Sequence, residues 1–117
     1  MEKQRNIYNY NGKLIFDGEY LKGKRNGKEK EYDDEGKLIF EGEYLNGKRW
    51  NGNGYDNNNN IVYKLKDGKG LIKEYKYGRL IFDGLYLNGQ RNGKGKEYNY
   101  DDNLIFLLDY LHFLYLI

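Results

Sequence analysis

The residues of this 117-residue chain that could do chemistry fall into a few small groups. Gly18 to Lys24 and Gly42 to Lys48 share the spacing Gly-x-x-x-x-Gly-Lys, which opens a phosphate-binding loop. That loop needs a Ser or Thr next, to hold a metal ion, and a helix after it. Arg25 and Arg49 stand there instead, and Gln90 breaks the third copy. Asp33-Asp34-Glu35 and Asp101-Asp102 could serve as general acids or metal ligands, but they fall in connecting turns, where acidic residues are expected anyway. The lone His112 sits in an apolar tail, where packing is its expected role. The chain contains no Ser, Thr, Cys, Ala or Pro. Nucleophilic catalysis through Ser, Thr or Cys is therefore excluded, and so is a zinc site built from Cys and His. These residues predict a protein that is not an enzyme, with no cofactor and no metal.

Two recurrent sets remain. Lys24-Arg25, Lys48-Arg49 and Gln90-Arg91 would form a basic ladder along one edge if their turns were stacked, able to meet acidic phospholipid headgroups or an acidic peptide. The plainer reading is a solvated row balanced by nearby Glu and Asp. Phe16, Tyr20, Phe40, Tyr44, Phe82 and Tyr86 form an aromatic ladder, first of all a core, whose rim becomes a peptide groove if nothing covers it. The candidate binding residues are these six aromatics with Lys24, Arg25, Lys48, Arg49 and Arg91. Single-stranded nucleic acid could stack on such rings. The net charge is only +2, however, and the signs alternate at short range, as in Lys28-Glu29-Lys30-Glu31. Such interleaving weakens any long-range field, so no nucleic-acid partner is expected.

The elements that position these side chains come from a repeat. Leu14-Ile15-Phe16-Asp17-Gly18-Glu19-Tyr20-Leu21 recurs from Leu38 and from Leu80, and faintly from Leu104. As a strand, it places Leu14, Phe16, Gly18 and Tyr20 on one face and Ile15, Asp17, Glu19 and Leu21 on the other. A Gly inside a strand marks a close neighbour; at Gly18, Gly42 and Gly84 the expected occupant is a ring from the next repeat. Gly23, Gly47 and Gly89 close the hairpin turns. A polar return strand such as Lys28 to Tyr32 follows, and then a connecting turn.

The interval from Leu14 to Leu38 is 24 residues, as is that from Leu80 to Leu104, while Leu38 to Leu80 is 42. Ile61-Val62-Tyr63 fills the long interval as a worn copy, with Gly68 to Tyr75 as its return strand and 57–60 as a loop joining the halves. The units lie near 14–36, 38–56, 61–78 and 80–103, within an array over 1–103. Segment 104–117 is apolar and too short to span a bilayer. It is a cap over the last repeat, an anchor for a membrane or partner, or a truncated end. Residues 1–6 lack the apolar stretch of a signal peptide, so a cytoplasmic protein is expected, with peripheral membrane attachment as the variant.

Hydrophobic residues make up 38% of the chain and charged residues 32%, a balance too polar for a thick two-layer core. With 14 Tyr, however, a single sheet can pack one face well, since the ring is apolar and its hydroxyl reaches water.

The unit resembles the MORN repeat, on Phe16-Asp17-Gly18-Glu19-Tyr20-Leu21-Lys22-Gly23, Phe40-Glu41-Gly42-Glu43-Tyr44-Leu45-Asn46-Gly47 and Phe82-Asp83-Gly84-Leu85-Tyr86-Leu87-Asn88-Gly89. The trailing Gly-x-Gly appears as Gly52-Asn53-Gly54, Gly68-Lys69-Gly70 and Gly93-Lys94-Gly95, while Glu29 departs from it. Tyr32 with Gly36 looks like the variant MORN repeat of bacterial proteins. The resemblance implies an all-β, elongated, single-layer antiparallel sheet of consecutive β-hairpins. It further implies a scaffold that binds a protein partner or an acidic membrane surface, or, alternatively, an antitoxin-like regulator that neutralises a toxin by direct binding. An open sheet also leaves its edges available for self-association.

Overall fold

The computed structural model describes residues 2–76, 79–99 and 104–109, and its regular elements there are all strands. They are β1 (Glu2–Tyr8), β2 (Leu14–Leu21), β3 (Lys24–Tyr32), β4 (Leu38–Leu45), β5 (Lys48–Tyr55), β6 (Ile61–Leu65), β7 (Gly70–Lys76), β8 (Arg79–Leu87), β9 (Gln90–Tyr98) and β10 (Leu104–Asp109). Each strand pairs antiparallel with its chain neighbour, apart from β6 and β7. The assignments of Gly78, Asp101, Asp102 and the tail from Tyr110 lie outside the described residues.

Turn chemistry sets the two edges. On one, Lys22-Gly23, Asn46-Gly47, Asp67-Gly68 and Asn88-Gly89 all have positive φ, from 49° to 85°. Two successive positive-φ residues make the type I′ turn, whose twist matches that of paired strands. On the other edge, the Asp33 Oδ1 accepts the amides of Glu35 and Lys37, and the Asp56 Oδ1 those of Asn58 and Asn60. The carboxylates in these turns therefore shape the backbone, and hydrogen bonds from Asn58 and Asn60 hold the Asp56 carboxyl below its ordinary range.

The expected single sheet is corrected. Strands β1 to β6 form one sheet of six, and β7 to β10 a second of four. Register explains the break. Five positions separate Gly42 from Gly47, but only three separate Leu65, which faces the same partner residue, from Gly68. On the return arm Glu29 follows Gly23 by six positions, whereas Ile72, its register equivalent, follows Gly68 by four. The third hairpin has therefore lost one rung, the one formed elsewhere by Tyr20 with Arg25, Tyr44 with Arg49 and Tyr86 with Arg91. After a single bridge between Lys66 and Lys69 its arms part. Gly68-Lys69-Gly70 is accordingly not a return-strand Gly-x-Gly, because Gly68 belongs to the turn.

Phe16, Phe40 and Phe82 are fully buried, and Phe40, Tyr63, Leu65 and Ile72 form a continuous cluster where the sheets meet. Leu65 and Ile72 bring aliphatic bulk to register positions that are Gly or Glu in the other units.

The close approach at the strand glycines also differs from expectation. The ring over Gly18 is Phe16 from its own strand, since an added Cβ would lie 2.7 Å from Phe16 Cζ. At Gly42 the neighbour is backbone, with the Asn51 carbonyl oxygen 1.9 Å from such a Cβ.

Candidate functional site

The alternation of β2, β4 and β8 points their phenylalanines to one face, and the following return strands bring an arginine back across each ring. The Arg25 guanidinium lies 4.1 Å from the Phe16 centroid, Arg49 4.7 Å from that of Phe40, and Arg91 4.0 Å from that of Phe82. These are cation–π distances. The aromatic groove is therefore roofed by the arginines of the same repeats.

Glutamates complete each station. The Glu31 Oε1 accepts from the Tyr44 hydroxyl and from Arg25 Nη1, and its Oε2 accepts from Arg49 Nη2. Arg25 Nη1 also donates to the Tyr44 hydroxyl at 3.2 Å, and Arg49 Nη1 to the Tyr63 hydroxyl at 3.0 Å. In the second sheet, Arg91 bonds Glu97 at 2.8 Å and Glu74 at 3.3 Å, and the Tyr86 hydroxyl donates to Glu74. Glu31 and Glu74 thus each tie one repeat to the next, while Glu97 pairs with the arginine of its own strand. Burial works against the Arg49 charge, but Glu31 more than offsets it and holds that guanidinium firmly protonated. Burial and neighbouring carboxylates raise the Tyr44 and Tyr86 hydroxyls, and burial lifts Tyr63 to about 12.

The sequence-derived candidates divide accordingly. Phe16, Phe40, Phe82 and Tyr44 are buried, while Tyr20 and Tyr86 are half-buried. Arg25, Arg49 and Arg91 point inward, so the outward cations of the turn row are the exposed Lys24 and the half-exposed Lys48. Gly23, Gly47 and Gly89 form the turns, and Gly18, Gly42 and Gly84 lie in the strands.

Two features escaped sequence reasoning. One is Glu29, 4% exposed, whose carboxylate oxygens have no hydrogen-bond partner. It stands in register between Gly18 and Gly42. Desolvation, with Glu31 adding to it against Arg49 and Arg25, pushes its carboxyl up to about 8. Its substitution for a Gly of the repeat was the available signal.

The other is a cavity of about 260 Å³ at the seam of the sheets. Tyr32, Tyr55, Tyr63 and Tyr75 supply its rings, and Ile39 and Ile81 its aliphatic walls. Arg49, Lys73, Asp33, Asp34 and Glu74 supply charges of both signs. The signals were the 42-residue interval and the Tyr that ends successive return strands.

The fold defines an all-β protein of antiparallel hairpins in open sheets. Comparison with protein-family models, with curated proteins and with solved structures returned no match.

Proposed function

We propose that this chain is a non-enzymatic, MORN-like interaction module of the cytoplasm, and that a protein partner docks at the seam between its sheets. The cavity carries this reading. Elsewhere the repeat covers its own aromatic face with arginine, whereas at the seam a concave, tyrosine-rich surface is left open beside charges of both signs. Tyrosine suits protein recognition because it offers a large, rigid, amphipathic contact at low entropic cost. An acidic membrane is the second reading. It draws on Lys24 and Lys48, since the arginines beside them are engaged inward.

A photo-crosslinking amino acid in place of Tyr55, in cells expressing the chain, should give a discrete adduct. The same group in place of Lys30, on the opposite face, should not. Loss of the Tyr55 adduct on adding Ile81→Trp, which fills the cavity, would support seam docking. Equal adducts from both positions would overturn it. Sedimentation with anionic but not neutral vesicles, fading with salt, would favour the membrane instead.

A further inference from the structure

We propose that the partner enters the seam cavity as a proline-rich segment in the polyproline II conformation, carrying an acidic residue that pairs with Lys73. The inference rests on the docking reading above and names the chemistry of the docked segment. Tyr32, Tyr55 and Tyr75 occupy equivalent register positions on β3, β5 and β7, each just past the bulge near the end of its return strand. All three line the cavity. Each is half-buried, and among the described residues none of their hydroxyls has a hydrogen-bond partner. The tyrosines on the phrase strands differ, because the hydroxyls of Tyr44, Tyr63 and Tyr86 are held by Glu31, Arg49 and Glu74.

Spacing selects the ligand. Tyr32 and Tyr55 stand two strands apart in one sheet, with β4 between them. Neighbouring strands lie about 4.8 Å apart, so these two positions repeat at about 9.6 Å. A polyproline II helix rises about 3.1 Å per residue with three residues per turn, which is about 9.3 Å per turn. Successive turns of such a segment therefore match successive tyrosines. Tyr75 reaches the same cavity from the second sheet.

The chemistry of the lining agrees. Proline has no N–H and polyproline II makes no internal hydrogen bonds, so its carbonyls call for donors from outside. Phenol hydroxyls can donate to them, while the tyrosine rings with Ile39 and Ile81 offer apolar surface for pyrrolidine rings. Charge complementarity supplies the acid. Arg49 is bound by Glu31, Glu74 by Arg91, and the Asp33 Oδ1 by the amides of its own turn. Asp34 also has a partner. Lys73 is exposed and has no ion-pair partner among the described residues, so the charge left over at the cavity is positive.

The test is an NMR titration of the full chain with three blocked peptides: hexaproline ending in Glu, hexaproline ending in Lys, and a flexible Gly-Ser hexamer ending in Glu. The first should give saturable shifts at the amides of Tyr32, Tyr55 and Tyr75. The Gly-Ser peptide should bind at least about tenfold more weakly, a gap of about 1.4 kcal/mol. Lys73→Glu should invert the preference between the two hexaproline peptides. Replacing Tyr32→Phe and Tyr55→Phe together keeps the rings and the fold but removes two donors, and should weaken the first peptide by at least about fivefold. Equal binding of the hexaproline and Gly-Ser peptides, or binding untouched by the Phe variant, overturns the polyproline ligand. A preference unmoved by Lys73→Glu overturns the acidic contact. Silence from every peptide, beside a Tyr55 crosslink that Ile81→Trp abolishes, overturns the ligand and leaves the docking reading standing. Proline-selective shifts without any crosslink keep the ligand and overturn the cellular docking instead.

Discussion

Glu31 and Glu29 lie two positions apart on one strand face and meet opposite fates. Glu31 is buried but bound by two arginines and a tyrosine, so its charge is matched on every side. Replacing it with Gln would leave Arg49 buried without its counter-ion. Glu31→Gln is expected to cost about 3 kcal/mol in a urea titration, whereas Glu43→Gln on the outer face should stay within about 0.5 kcal/mol. Glu29 is buried with no partner, and its carboxyl is raised from an ordinary 4.5 to about 8. The folded state therefore holds this proton more tightly than the unfolded chain. Its stabilising contribution is full below pH 4.5 and is lost as pH rises through about 8. The loss is on the order of 5 kcal/mol. Glu29→Gln should flatten that limb of the stability–pH curve, as read from denaturant melts across pH; an unchanged slope would mean that Glu29 ionises freely. At this scale the sequence was half legible. The recurrence of Phe and Arg was visible, but not that one would lie on the other, because their approach depends on the bulged register of the hairpin.

Hairpins were the most readable elements, because Asn-Gly and Lys-Gly pairs state their turns locally. The turn after β6 was harder. Asp67-Gly68 is a turn of the same kind, yet Gly68-Lys69-Gly70 imitates the return-strand pattern, and only register shows that two residues are missing on each arm. The strand glycines were legible as close approaches but not as to what approaches, since that depends on which way a Phe side chain leans. Backbone contact at Gly42 sets a strict limit: no rotamer change relieves a methyl group placed 1.9 Å from the Asn51 carbonyl oxygen. Gly42→Ala is expected to destabilise by about 3 kcal/mol, the upper part of the overpacking range. A calorimetric melt would register the loss, and an unshifted transition would show that β4 and β5 can move apart.

Over the whole molecule, the repeated strand phrase and its turn residues pointed to an all-β chain of antiparallel hairpins, while the continuity of the sheet was overread. The 42-residue interval carried the information, but as a number it fits a shortened pair of units as well as a linker. Continuity survives in another form. The Gly47 amide donates to the Arg25 carbonyl, that of Gly68 to Trp50 and that of Gly89 to Gly68, so successive turns are bonded to each other across the seam. Hydrogen exchange should find the Gly68 and Gly89 amides as protected as those within β8; free-chain rates would mean that the halves separate there. The arrangement is that of a bound volume opened between two pages. The stitching runs unbroken down the spine, while the leaves part at the far side. Whatever enters the opening must come from the fore-edge, and closing on it would require the halves to swing about the spine rather than slide.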